Sequence, residues 1–202
     1  MNAKKETPLR LGADVIQKLL PHRRPFLMVD RIESLVRSPV PTLRATRHIS
    51  ANEEVFAGHF PGLHLWPGVY TIEGLGQTAN VLEALMALID GFEVAGGSAE
   101  DVIEGLLSLE ARYTLRAAPH ADKVAVLLEQ MRDPLRFMGM SAQVNVKLLS
   151  PVFAGQRLDY CVRRTHTAGD LVRFEVEAEA DGREVARGSM DSIVKVAAPS
   201  SD

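Results

Sequence analysis

The sequence predicts an α+β fold in which one long buried helix lies against an antiparallel sheet. The run from Val69 to about Asp90 has the apolar spacing of a helix. Leu171–Ala180 alternates apolar and charged residues, as a half-buried antiparallel strand does. Hairpin turns are predicted on either side of this strand, at Ala168-Gly-Asp170 and Asp181-Gly182, and Asp-Gly suits a two-residue type I′ loop.

The N-terminal part predicts short elements that lead to the long helix. A short helix is expected over Asp14–Leu20, because Pro21 follows directly after it. The segment Pro21–Asp30 is apolar and extended, and residues 42–49 alternate like a strand with one solvated face. The loop from Gly58 to Gly68 is rich in Gly and Pro, a composition that resists regular structure and holds side chains in fixed positions.

The long helix is apolar around much of its circumference, which indicates that other structure wraps it. At a rise of ~1.5 Å per residue it extends on the order of 30 Å. One polar stripe differs from the rest, because Glu73, Gln77 and Asn80 lie at i, i+4 and i+7 on a single face. Gly76 lies beside this stripe and allows another group to approach the backbone closely.

Strand patterns dominate the C-terminal half of the chain. Between the long helix and most of these strands, a further helix is expected over Ala99–Leu109, with acidic residues at its start where the helix dipole favours them. Five strands are predicted, over Val124–Gln130, Met140–Leu149, Leu158–Thr165, Leu171–Ala180 and Glu184–Val196.

Composition limits the class of protein. A chain of 202 residues with 46% apolar and 24% charged residues is typical of one globular domain, 1–202, ending in a flexible tail over 197–202. The net charge of -3 gives no support for nucleic-acid binding. The one cysteine, Cys161, excludes an internal disulfide. Neither a membrane-length apolar run nor a signal-peptide core is present, so we expect a cytoplasmic protein.

Two residues carry candidate acid–base chemistry. His59 lies in Gly58-His-Phe-Pro-Gly62 and can exchange a proton near neutral pH, although a loop histidine also commonly caps a turn. Glu73 lies in a mostly apolar helix, where a carboxylate is costly to bury unless it is paired or neutralised. The alternative for Glu73 is a solvated glutamate near a helix N-terminus. Gln77, one turn later, can hydrogen-bond the carboxylate and orient it.

Pro67-Gly68 supplies a third candidate group. Proline at a helix start followed by glycine leaves a backbone N–H at the positive end of the helix, where it can polarise a carbonyl oxygen. The alternative for Gly68 is a plain turn glycine. Base, donor and acid would lie within fifteen residues. We expect no metal, since His59 and His64 are five apart with neither a Cys pair nor an HExxH helix.

Two motifs in order carry a family resemblance. Leu20-Pro-His-Arg-Arg-Pro-Phe-Leu-Met-Val-Asp-Arg31 resembles the opening of beta-hydroxyacyl-[acyl-carrier-protein] dehydratases of the FabZ type. Gly58-His-Phe-Pro-Gly-Leu-His-Leu-Trp-Pro-Gly-Val69, followed by Ile72-Glu73 and Gln77-Thr-Ala79, resembles the active-site motif of that family. The resemblance covers residues 12–90 well and residues 136–196 more loosely.

The resemblance implies a single hotdog fold, a long central helix wrapped by an antiparallel sheet, and a homodimer with two composite sites. It implies that His59 of one subunit removes the proton alpha to the thioester and that Glu73 of the other protonates the beta-hydroxyl. The Gly68 N–H then stabilises the enolate-like oxygen. The acyl chain arrives on the phosphopantetheine arm of an acyl carrier protein, so no diffusible cofactor is expected. Further oxyanion or substrate-binding residues are expected at Val69, Gln77, Phe60, Trp66 and Tyr70.

The sequence also departs from that family. Trp66 and Tyr70 are bulkier than the aliphatic residues usual there, and Gly74 and Gly76 stand where alanine is common, which suggests a reshaped tunnel. Residues 95–133 look like an insertion after the helix, interpreted either as a lid or partner surface or as a solvated elaboration. The lid or partner surface is expected to involve Arg112, Arg116, Arg132 and Arg136, and carrier-protein docking is predicted at Lys147, Arg132 and Arg136.

The predicted activity is dehydration of a carrier-bound beta-hydroxyacyl thioester to the trans-2-enoyl thioester, in fatty-acid synthesis or a specialised polyketide or polyene pathway. One alternative is a hotdog thioesterase, against which the Gly58-His-Phe-Pro61 motif argues. Another is a non-catalytic hotdog subunit or heterodimer partner, against which the presence of both His59 and Glu73 argues.

Overall fold

The computed structural model describes residues 6–111, 121–130 and 139–194. All strand pairs in this part of the chain are antiparallel, and they form one seven-stranded sheet in the order β1-β2-β3-β5-β6-β7-β4. The strands are β1 (Thr7–Leu11), β2 (Arg31–Val36), β3 (Thr42–His48), β4 (Gly139–Leu148), β5 (Arg157–Ala168), β6 (Leu171–Ala180) and β7 (Arg183–Val194).

One long helix packs against this sheet. Helix α2 runs for 27 residues, about 40 Å at the usual rise, and contacts β3 through β7. Three shorter α-helices and one 3-10 helix complete the described part of the chain, and none of its helices is long and apolar enough to cross a membrane. The α-helices are α1 (Ala13–Leu19), α2 (Gly68–Val94), α3 (Ala99–Ala111) and α4 (Ala121–Gln130), and the 3-10 helix is Glu54–Ala57.

A long helix wrapped by an antiparallel sheet is the hotdog arrangement, so the predicted fold class is confirmed. The predicted β6 is also confirmed, and its apolar residues from Val172 to Ala180 are buried in alternation. Asp181 has φ 51° and Gly182 has φ 78°, as a type I′ turn requires at its two central positions. The hairpin predicted from Asp-Gly therefore sets the register between β6 and β7.

Two glycines allow α2 to lie close to the sheet. A Cβ on Gly74 would overlap the ring and hydroxyl of Tyr160 on β5. A Cβ on Gly76 would lie 3.3 Å from Cε of Met190 on β7, which is tighter than ordinary van der Waals contact. Gly74 is thus explained by large-to-small complementarity with Tyr160, a packing reason separate from the shape of any tunnel.

The strand predicted over Val124–Gln130 is wrong, because this segment belongs to helix α4. A short apolar run has no periodicity that separates a strand from a buried helix, and Asp122 at the helix start was the neglected signal. The described residues also hold two strands that we did not predict, β1 and β2. The helix predicted over Ala99–Leu109 is confirmed and extends to Ala111 as α3.

The segment predicted to be an insertion, residues 95–133, contributes buried residues to the core from helices α3 and α4. Helix α3 packs against α1, α2 and β1, and its Val102, Leu106 and Leu109 are almost fully buried. Val124 of α4 is buried in the same core. These helices are therefore not a solvated elaboration. The arginines assigned to a partner surface, Arg112, Arg116, Arg132 and Arg136, lie outside the described residues.

Strand β4 forms one edge of the sheet and pairs only with β7 within the described chain. Nearly all of its residues are exposed, and they include the apolar Met140, Val144 and Leu148. An exposed edge strand with apolar side chains offers unpaired backbone groups and apolar area to a further strand.

Candidate active site

The loop before α2 fixes the ring of His59. The backbone N–H of His59 donates to the carbonyl of Val55 (2.9 Å), and Nδ1 lies 2.8 Å from the carbonyl oxygen of Leu65. Because a carbonyl oxygen only accepts, Nδ1 carries the proton and Nε2 keeps its lone pair. The ring also stacks on Phe60, with centroids 4.2 Å apart. His59 is therefore oriented and in the tautomer that can accept a proton at Nε2.

The same loop is tied to the connection between β4 and β5. Trp66 N–H donates to the carbonyl of Val152 (2.8 Å), and Ala154 N–H donates to the carbonyl of His64 (3.0 Å). These bonds lie on both sides of Leu65, the residue that accepts from His59. The Leu65 carbonyl, which accepts from the His59 ring, therefore lies in a backbone segment that hydrogen bonds hold on both sides.

A cavity of about 400 Å³ opens beside His59. Gly68 lines it at the first turn of α2, so the structure brings His59, Gly68 and Trp66 to one cavity. A Cβ on Gly68 would overlap Cδ1 of Leu148. Only glycine therefore fits at this position unless the Leu148 side chain moves. The remaining lining residues are Leu65, Thr71, Leu148, Leu149, Ser150, Pro151, Val152 and Val185.

Glu73 is held by Gln77, one turn later on α2. Gln77 is 1% exposed, and its Nε2 donates to Glu73 Oε1 at 2.9 Å and to the carbonyl of Phe26 at 2.7 Å. Its Oε1 accepts from the N–H of Met28 at 2.8 Å. These partners fix which end of the amide faces the carboxylate, so Gln77 acts on Glu73 as a donor. We call Gln77 with its two backbone partners the Glu73 clamp.

Within the described ranges no hydrogen bond or ion pair joins His59 to Glu73, and Glu73 is absent from the lining of the His59 cavity. The structure therefore brings together base and backbone donor, and separately the carboxylate and its clamp.

His22 is a site residue that sequence reasoning missed. Its Nε2 lies 3.6 Å from Glu73 Oε1, and its buried Nδ1 has no partner among the described residues. Burial lowers the pKa of His22, the charge of Glu73 opposes that shift, and Arg23 adds to it. His22 is thus neutral near neutral pH, and its contact with Glu73 is a polar contact between a neutral ring and a carboxyl group. The available signal was its place in Pro21-His-Arg-Arg-Pro25.

The aromatic residues form a continuous cluster near the start of α2. Tyr70 lies edge-on to both Trp66 (5.3 Å between centroids) and Phe26 (6.3 Å). Trp66 is 3% exposed, whereas Phe26 is 46% exposed and Phe60 47%. Val69, also predicted to contact substrate, is 65% exposed and does not line the His59 cavity. Phe26, Phe60 and Val69 leave apolar area uncovered by the described residues.

Arg47 contacts the ring of Trp66 in this aromatic cluster. Its guanidinium bonds Asp30 (2.6 Å) and Glu53 (2.5 Å), and it lies 5.8 Å from the centre of the Trp66 ring. A buried arginine with two carboxylate partners and an aromatic face fixes the position of that ring. No periodic pattern predicts this contact, because its members lie in separate loops and strands.

Of the predicted docking residues, Lys147 is exposed on β4 and lies directly opposite Arg187 on β7. Arg132 and Arg136 lie outside the described residues. In the described ranges no cluster of three or more His, Cys, Asp or Glu side chains is placed to hold a metal ion.

Comparison with known proteins gives relatives over most of the chain. A family model described as FabA-like domain matches residues 20–148. The 3-hydroxyacyl-[acyl-carrier-protein] dehydratase FabZ of Campylobacter lari is 32% identical over 179 residues, covering 89% of this chain and 94% of the relative. FabZ of Rhizobium rhizogenes is 30% identical over 185 residues, covering 91% of this chain and 88% of the relative.

Among solved structures, the dehydratase heterocomplex ApeI:P from Xenorhabdus doucetiae is similar with a TM-score of 0.51. The two chains are 16% identical, and the likeness covers 89% of this chain and 90% of that one. At this identity the likeness shows a shared fold.

Proposed function

Since the chain belongs to the FabA-like family, with FabZ-type 3-hydroxyacyl-[acyl-carrier-protein] dehydratases as relatives over nearly its whole length, we propose that it is an enzyme that dehydrates a beta-hydroxyacyl thioester on acyl carrier protein. The alpha carbon loses a proton, the beta C–O bond breaks, and the trans-2-enoyl thioester and one water are formed. This reaction is a step of fatty-acid or polyketide biosynthesis.

His59 is the base of the proposed reaction. This role is supported by the Nδ1–H bond to the carbonyl of Leu65, which leaves Nε2 as the acceptor of a ring that lines the cavity. After Nε2 takes the alpha proton, the same carbonyl stabilises the positive ring. General bases placed in this way contribute roughly 10²–10⁴-fold to rate.

Glu73 is the acid, and Gly68 the oxyanion donor. Glu73 gives a proton to the departing hydroxyl, so that water leaves and not hydroxide. The clamp donates to Oε1 of Glu73, which leaves Oε2 for the substrate. Gly68 lies at the N-terminus of a 27-residue helix, where backbone N–H groups and the helix dipole stabilise negative charge on the thioester oxygen.

The complete site forms between two copies of the chain. This is supported by the separation of His59 from Glu73 within a subunit and by the uncovered β4 edge. Leu148 belongs to β4, lines the His59 cavity and lies against Gly68, so a strand added along β4 also closes this cavity. A homodimer places His59 of one copy near Glu73 of the other.

The proposed reaction uses no diffusible cofactor, since the acyl thioester arrives on the phosphopantetheine arm of the carrier protein. Lys147 on the edge strand β4 and Arg187 on β7 are both exposed and lie directly opposite each other, and Arg187 also lies 3.5 Å from Glu184. We place carrier-protein docking at this pair, because complementary charge speeds the association of partners.

The direct test is to incubate the purified chain with carrier-bound beta-hydroxyacyl chains of varied length and follow the carrier by mass spectrometry. Loss of one water from the carrier-bound chain supports the proposal. Release of free thiol with a free acid would indicate a hotdog thioesterase, and no change for any chain length would contradict the dehydratase.

A further inference from the structure

Helix α3 of the inserted region supplies the cap of helix α1. The N–H of Val15 in the first turn of α1 donates to Glu110 Oε1 at 3.1 Å. Helix α1 begins after Gly12, which has no side chain to cap it. A carboxylate at a helix N-terminus satisfies a free N–H and complements the helix dipole. The cap of α1 therefore comes from a residue 95 positions later in the chain.

The two helices also share apolar packing. Val102 and Leu106 of α3 are buried in the same core as Val15 and Ile16 of α1. An isolated helix of seven residues is unstable in water, so α1 depends on its caps and on this packing.

The other end of α1 is tied to the loop that follows it. The guanidinium of Arg23 donates to the carbonyls of Gln17 (2.9 Å) and Leu20 (2.8 Å). The carbonyl of Arg23 in turn accepts from the N–H of Phe26 at 2.8 Å. Phe26 and Met28 are the backbone partners of the Glu73 clamp. Continuous hydrogen bonds thus connect the end of α1 to Gln77 and Glu73.

We propose that Glu110 is a positioning residue for Glu73. By capping α1, it holds the loop from Leu20 to Asp30, and through that loop the clamp, in the geometry that protonates the leaving hydroxyl. The inserted helix α3 thereby serves the reaction without touching the substrate. This inference rests on the proposed dehydratase function.

The test begins with Glu110→Ala, with Glu104→Ala as the matched control, because Glu104 is an exposed acid on the same helix. We expect Glu110→Ala to lower kcat by about fivefold, the factor that corresponds to loss of a typical helix cap, with KM little changed. Hydrogen exchange at the Met28 amide becomes faster. Glu104→Ala changes neither quantity. Should Glu110→Ala fail to fold, Glu110→Gln keeps an acceptor oxygen and gives a smaller loss of the same kind.

A rescue experiment separates positioning from general damage. Gly12 has φ -98° and ψ -165°, a conformation that an N-capping aspartate can adopt. Gly12→Asp in the Glu110→Ala background therefore supplies a local cap and restores both kcat and Met28 protection. In a Gln77→Leu background the clamp is already broken, so Glu110→Ala adds no further loss of kcat.

Several outcomes overturn the inference. These are an unchanged kcat in folded Glu110→Ala, an additive loss with Gln77→Leu, or a failed rescue although Gly12→Asp restores protection of α1. Failure of the proposed function is distinguishable, because a wild-type chain that dehydrates no substrate refutes the function alone. The exchange rate of the Met28 amide then still decides whether Glu110 holds the clamp.

Discussion

The ring of His59 donates its Nδ1–H to the main-chain carbonyl of Leu65, six residues later, at 2.8 Å. Both residues belong to the loop that the β4–β5 connection holds in place, so the tautomer of His59 is set by backbone geometry. A side-chain partner would move with its own rotamer, whereas this carbonyl does not. In the neutral ring the lone pair therefore lies on Nε2.

Replacing this base tests its role. His59→Gln keeps a polar side chain but no basic nitrogen, so we expect kcat/KM for dehydration to fall by roughly 10²–10⁴-fold, the usual contribution of a general base. His64→Ala is the control, because His64 is an exposed histidine in the same loop and leaves kcat/KM unchanged. Steady-state kinetics with a carrier-bound substrate gives both values. Comparable losses in the two variants would indicate loop damage instead of lost base catalysis.

The role of Gln77 in the Glu73 clamp can be tested through both stability and kcat. Gln77→Leu removes the donor to Glu73 and leaves the carbonyl of Phe26 and the N–H of Met28 without their partner. We expect a loss of about 1–3 kcal/mol in unfolding free energy, the range for unsatisfied buried groups, together with a lower kcat. Urea unfolding and kinetics measure the two effects. Asn80→Ala, on the same face of α2, is the control, and an equal loss of kcat there would contradict a specific role for Gln77.

The glycines of α2 give a packing prediction. Gly74→Ala places a methyl group against Tyr160, so it destabilises by about 1–3 kcal/mol, as overpacked cores do. Gly91→Ala lies in the same helix with nothing within 4 Å, so it stabilises by roughly 0.5–1 kcal/mol through helix propensity. Thermal and urea unfolding distinguish them. Two stabilised variants would show that α2 does not pack this closely on β5.

The pH dependence of stability reports on His22. Its folded pKa lies below the ordinary 6.5 because burial outweighs the attraction of Glu73, and Arg23 acts in the same direction as burial. The unfolded chain therefore binds a proton that the folded chain does not, and this contribution to stability is present above about pH 6.5 and lost as pH falls. We expect His22→Gln to flatten the loss of unfolding free energy between about pH 7 and 5. Exposed His48→Gln serves as the control, and identical slopes in all three proteins would contradict the burial of His22.

The periodic parts of the fold could be predicted from sequence. The long helix, β6 and the Asp181-Gly182 turn follow from local spacing and turn chemistry, and all are present. Helix α4 could not be assigned, because Val124 and its apolar neighbours fit a strand and a buried helix equally. Strand β1 has only five residues, too few for a clear alternation.

The candidate site also has a part that could be predicted from sequence and a part that could not. Gly68 and Gln77 have local signals, at a helix start and one turn from a carboxylate, and the structure places them in those settings. The contacts of His22 with Glu73 and of Glu110 with Val15 join segments 51 and 95 residues apart. Such pairs have no periodic signature, since packing alone brings them together. The catalytic roles, the carrier docking surface and a cytoplasmic location stay predictions.

The proposed reaction site combines His59 of one copy with Glu73 of another. Subunit complementation tests it most directly, by co-expressing His59→Ala and Glu73→Gln chains with different tags and purifying through both. Each mixed dimer then has one intact site and one doubly defective site, so it retains about half of the wild-type activity per dimer, as a two-fold interface requires. Each parent variant alone is inactive. A doubly tagged dimer with no dehydratase activity would contradict a site shared between copies.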